Sequence, residues 1–61
     1  MLKDAECFFK AYSGVPIEER KIPIVIISDK PINWDLAYEE ITNETERGKE
    51  ILKLMIELEI I

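Results

Sequence analysis

Sixty-one residues are enough for one small domain, and a domain of this size buries only about 60% of the surface its unfolded chain exposes, so a marginal stability that outside help would raise is the expectation. A single cysteine and no histidine exclude a disulfide framework and the commonest metal-ligand sets, which leaves oligomerisation as the source of that help. A net charge of −5, with the acidic residues spread along the chain, repels phosphate backbones on average, and no apolar run approaches the roughly 20 residues of a membrane span.

The residues Asp4 and Glu6 stand where a secretory leader needs first a basic and then an apolar stretch, so a soluble cytoplasmic protein is the expectation. Eleven isoleucines, ten glutamates and six lysines, with no glutamine, resemble the compositional bias of hyperthermophile proteomes. A hydrophobic share of 48% is generous for so small an interior and points to apolar surface that meets another chain.

In chain order, Leu2, Ala5, Phe8, Phe9 and Tyr12 recur at three- and four-residue steps and predict a helix over about residues 3–13. Asp4 lies where the helix dipole favours an anion. The expected stop is Gly14 as a left-handed residue, with Val15 as the apolar residue after it and Pro16 barring continuation. The stretch PIEERK (16–21) places two glutamates ahead of two cations, the charge order of a single helical turn, although a tight loop fits as well.

Ile22 and the run Ile24, Val25, Ile26, Ile27 predict the principal β-strand over about 22–28. Pro23 cannot donate to a ladder, so the strand lies at an edge or begins to pair after that residue. The following SDKP is turn chemistry, with Ser28 and Asp29 able to bond their own backbone and Pro31 fixing φ. A strand must pair with something, and two partners are open. Residues 31–33 of PINW form a short local hairpin, or the strand pairs with its symmetry mate in a homodimer.

Asn33 is a candidate cap for a helix over about 34–42, on which Trp34, Ala37, Tyr38 and Ile41 match the i, i+3, i+4, i+7 template. Asn43 with Glu46 three residues later fits a capping box and starts a third helix over about 44–58. Its apolar face carries Gly48, Ile51, Leu52, Leu54, Met55 and Leu58, opposite Glu46, Lys49, Glu50, Lys53 and Glu57. A glycine inside an apolar helical face predicts close approach of the first or second helix. The expected fold is a single α+β domain of three helices and one principal strand. Its expected core is Phe8, Phe9, Tyr12, Val25, Ile27, Trp34, Tyr38, Ile41, Ile51, Met55 and Leu58.

No stretch carries a catalytic, cofactor or metal signature. Cys7 lies between Glu6 and Phe8, with nothing there to form a thiolate, and reads as a buried or half-buried helix residue. The pairs Glu18/Glu19 and Glu39/Glu40 point about 100° apart on a helix and do not converge on a cation. Trp34, Tyr38 and Tyr12 lack the basic groove that a base-stacking platform needs and read as core. No enzymatic activity and no cofactor are expected.

The order strand, helix, helix is similar to ribbon-helix-helix proteins, whose paired strands read DNA; with the first helix in front, the order is similar to a winged-helix domain cut off before its wing. The chemistry runs against both, because IPIVII is nearly all apolar and the exposed face of the third helix mixes Glu with Lys. The expectation is a non-catalytic protein–protein interaction or regulatory module acting as a homodimer, with DNA-binding regulation as the alternative. Ile22, Ile24, Val25, Ile26, Leu36, Ile56, Ile60 and Ile61 are the candidate interface residues, and the expected partner is a second copy or another protein, not nucleic acid and not a membrane.

Overall fold

The β-branched run finds its partner within its own chain. In the computed structural model, which describes residues 1–61, β1 (Pro23–Ile27) and β2 (Lys30–Asn33) form a two-stranded antiparallel sheet. Before it come α1 (Ala5–Ser13) and a 3-10 turn over Ile17–Lys21, and after it α2 (Trp34–Thr42) and α3 (Glu46–Glu57). The result is an α+β fold of three helices and one hairpin.

The local pairing follows from the turn. Ile27 faces Lys30, so Ser28 and Asp29 form a two-residue loop, with φ of 50° and 65°. Positive φ at both central residues is the signature of a type I′ turn, whose twist matches that of the flanking strands. Pro31 lies inside β2 opposite Ile26, in the return strand over 31–33 that the local-hairpin reading expects. The pair next to a two-residue loop exchanges both ladder bonds and the next pair does not. The missing N–H of Pro31 therefore falls on the outer edge of β2, where it withdraws nothing from the sheet.

Val25 and Ile32 oppose one another across the hairpin and enter the core, 6% and 0% exposed, while Ile26 points outward at 68%. They join Ala5 and Phe8 of α1, Ala37 and Ile41 of α2, and Ile51, Leu52 and Met55 of α3 in one buried cluster. Each helix contributes residues three or four apart, as an amphipathic face requires. Gly48 lies where α3 crosses α2: a Cβ there would overlap the Glu40 carbonyl, whose carbon would be 2.7 Å away. The close approach expected of that glycine is present, and α2 is the neighbour.

The helix ends depart from expectation in an instructive way. Asn43 caps the C-terminus of α2 instead of starting α3. Glu44 takes the left-handed conformation (φ 55°); its N–H donates to the Ile41 carbonyl and that of Thr45 to the Glu40 carbonyl, each at 3.2 Å. This double bond closure is a Schellman motif with glutamate where glycine is usual. Thr45 then caps α3, accepting the Gly48 N–H at 2.9 Å while its hydroxyl reaches the Glu40 carboxylate, so α3 runs from 46 to 57 and not from 44 to 58.

The same closure ends α3. Glu59 is left-handed (φ 58°), its N–H donates to Ile56 at 3.0 Å, and the Ile60 N–H donates to Met55 at 2.8 Å. Ile60 thereby folds back onto the core, and Leu58, expected inside, is left 57% exposed. Tyr38, also expected inside, is 42% exposed, because its ring covers Phe9 and Tyr12 at the rim. α1 begins at Ala5, two residues later than expected, after a left-handed Asp4 that makes no side-chain cap. Gly14 is right-handed (φ −89°) and does not supply the left-handed stop. Cys7 is exposed rather than buried.

Candidate interaction surface

All five aromatic side chains lie together at the junction of α1 and α2. The Phe8 ring touches Phe9, Tyr12 and Trp34 at centroid distances of 5.6, 5.9 and 5.7 Å, and Tyr12 stacks on Tyr38 at 4.6 Å. The Arg20 guanidinium lies 4.2 Å from the Tyr12 ring centre and donates to the Tyr12 carbonyl at 3.3 Å, fastening the 3-10 turn to α1. The Tyr12 hydroxyl donates to Asp35 at 3.0 Å. Reduced solvation and that bond hold its phenol above the ordinary value of 10.0, against the opposing pull of Arg20. The rings form a packing assembly, and no three histidine, cysteine or carboxylate side chains gather into a metal-binding group.

The apolar candidates divide between core and surface. Val25 is buried, and Ile24, Leu36, Ile60 and Ile61 are half-buried against the core. Ile22, Ile26 and Ile56 are exposed, and Met1, Ile17 and Leu58 join them.

Two grooves flank α3. A shallow one follows the open edge of β1, lined by Ile26 and Ile27 on one side and by Glu50, Lys53, Leu54 and Glu57 on the other. A larger one of about 560 Å³ lies across the Lys53/Glu57 ridge, between α3 and the residues leading into α1. Its apolar residues are Leu2, Leu52 and Ile56; Lys3, Asp4, Lys49, Lys53 and Glu57 complete its lining. Lys49 is held by Glu46 at 3.1 Å, whereas Lys3 and Lys53 have no carboxylate within 4.0 Å.

Of the larger groove's lining, only Ile56 stands among the candidate interface residues named from the sequence. The signal for the rest was the stripe Lys49, Leu52, Lys53, Ile56, Glu57 at i, i+3, i+4, i+7 and i+8, which reads equally well as an ordinary helix flank. That Leu2 and Lys3 come alongside it is a tertiary fact without a local signature. Compared with protein-family models, curated proteins and solved structures, the chain matches none of them.

Proposed function

We propose that the protein is a non-catalytic interaction or regulatory module that works as a homodimer joined along the open edge of β1. The observation that carries this reading is the asymmetry of the hairpin's two edges. β2 is closed to further pairing by Pro31, while Ile24, Val25, Ile26 and Ile27 retain their N–H groups, and the register turns those of Ile26 away from β2. Antiparallel pairing of two such edges about a two-fold axis makes a four-stranded sheet in the order β2, β1, β1, β2. It covers the outward Ile26 and gives an isologous contact in which each copy presents the same patch.

The DNA-binding alternative has the weaker support. The outward face of the hairpin carries Ile26 and Pro31, both exposed, where a DNA-reading ribbon needs groups that reach base edges or phosphates. The test is a sample mixed from isotope-labelled and unlabelled protein, in which filtered nuclear Overhauser contacts arise only between copies. Contacts centred on Ile26 are expected, and they should vanish in Ile26→Lys. Their absence from the wild-type mixture at millimolar concentration would refute the paired-edge dimer.

A further inference from the structure

We infer that the turn between α2 and α3 is a hinge, able to open into one continuous helix over residues 34–57 through which two copies of the chain exchange α3. This goes beyond the paired-edge dimer and leaves the open edge of β1 as it is. Glu44 and Thr45 alone keep the two helices from running together. Glu44 has φ of 55° and Thr45 has ψ of 164°, whereas Asn43, with φ −84° and ψ 0°, lies near helical backbone. The helical ladder already reaches the turn from both sides: the Asn43 N–H donates to the Glu39 carbonyl and the Lys49 N–H to the Thr45 carbonyl, each at 3.0 Å.

The backbone strain lies on the closed side of this equilibrium. The turn holds a glutamate in the left-handed region, where a residue with a Cβ is disfavoured, while in a helix glutamate is among the better residues. Every backbone donor that the turn satisfies by special means has an ordinary partner in the open form. The Glu44 and Thr45 N–H groups, which donate to the Ile41 and Glu40 carbonyls, move to those of Glu40 and Ile41. The Gly48 N–H, held by the Thr45 hydroxyl, moves to the Glu44 carbonyl. What opening gives up is the packing of α3, because Ile51, Leu52 and Met55, buried in the closed chain, meet water.

A second copy restores that packing, since its α3 fits the vacated surface by construction. The register allows it. Gly48 lies against the Glu40 backbone, and positions 40 and 48 are equally distant from 44. A two-fold axis through residue 44 of two antiparallel continuous helices therefore sets Gly48 of the second copy against Glu40, and the close crossing that glycine permits is rebuilt on both sides of the axis. The closed chain prevails when dilute, because the turn over 43–45 tethers α3 beside its own site, and exchange gains as concentration rises.

The test is the solution mass, by light scattering at up to about 1 mM after refolding from urea, of hinge variants in the Ile26→Lys background, where edge pairing is blocked. Glu44→Val puts a β-branched residue where left-handed backbone disfavours it most, and Thr45→Ala removes a cap that only the closed turn needs. Each should favour exchange about tenfold per hinge, a factor that enters twice in the dimer, and should double the mass. Glu44→Gly relieves the turn and weakens the helix, and should stay at the single-chain mass. Glu44→Ala loses the same 3.3 Å ion pair to the Met1 amine as Glu44→Val but adds no β-branch, and should match the native hinge. In Glu44→Val or Thr45→Ala refolded from mixed labelled and unlabelled protein, filtered nuclear Overhauser contacts from Gly48 to Glu40 and Ile41 should run between copies. Single-chain mass for both promoting variants, a doubled mass for Glu44→Gly, or α2–α3 contacts confined to one copy would each overturn the inference. Wild type against Ile26→Lys with the native hinge decides the paired-edge dimer separately, so failure of one is not mistaken for failure of the other.

Discussion

Replacing Ser28-Asp29 by Asn-Gly should stabilise the protein by about 1 kcal/mol. Both residues hold positive φ, 50° and 65°, in a two-residue loop closed by Ile27 and Lys30. An ordinary L-residue pays about 1–2 kcal/mol in the left-handed region, and a short polar side chain such as aspartate somewhat less. Glycine removes that strain but gives back about 0.5–1 kcal/mol through the greater freedom of the unfolded chain. Asp29→Gly therefore nets roughly 0.5 kcal/mol, and Ser28→Asn adds a similar amount by introducing a residue at home in this conformation. For a domain of this length the pair should raise the melting temperature by about 4–8 °C, measured by circular dichroism at matched protein concentration. If the strand paired only with a symmetry mate, the loop would be unconstrained and glycine would bring nothing except unfolded-state entropy. A lowered or unchanged midpoint would thus refute the local type I′ hairpin.

Gly48→Ala should destabilise by about 2–3 kcal/mol, because the added methyl meets the backbone of Glu40 rather than a side chain that can swing aside; an unchanged urea midpoint would show that α2 and α3 do not approach as described. Thr45→Ala should cost about 1 kcal/mol by freeing the Gly48 N–H, with Thr45→Ser close to wild type, and equal midpoints for all three would remove Thr45 as the cap. The raised pKa of Tyr12 means that the folded chain keeps its phenolic proton after the unfolded chain has lost it. Its contribution is complete below the ordinary value of 10.0 and declines as pH rises through and above it. Wild type should lose stability more steeply than Tyr12→Phe in alkaline urea titrations, and parallel curves would contradict the sign.

What was legible in the sequence was whatever repeats locally. The three helices, the β-branched strand and the cap at Asn33, whose side chain accepts the Leu36 N–H at 2.7 Å, follow from spacing and residue type. The helix ends were misread where glutamate does glycine's work. Glu44 and Glu59 are left-handed for reasons of chain closure that no propensity records, so Asn43 looked like a start and Leu58 like core. Ile32 was overlooked as a core residue because PINW is too short to show alternation, although its place opposite Val25 buries it completely. The candidate interaction surface was legible only as excess apolar residues. Ile22, Ile26 and Ile56 are exposed, whereas Val25 belongs to the chain's own core. The lysines that border the larger groove come from opposite ends of the sequence, and folding brings them together.

The most direct test of the homodimer is the solution mass by light scattering across a dilution series, with Ile26→Lys alongside. A mass twice that of the 7.1 kDa chain, falling to the single-chain value in Ile26→Lys while its circular dichroism is retained, is the predicted result. A wild-type protein that remains at the single-chain mass at every concentration would contradict it.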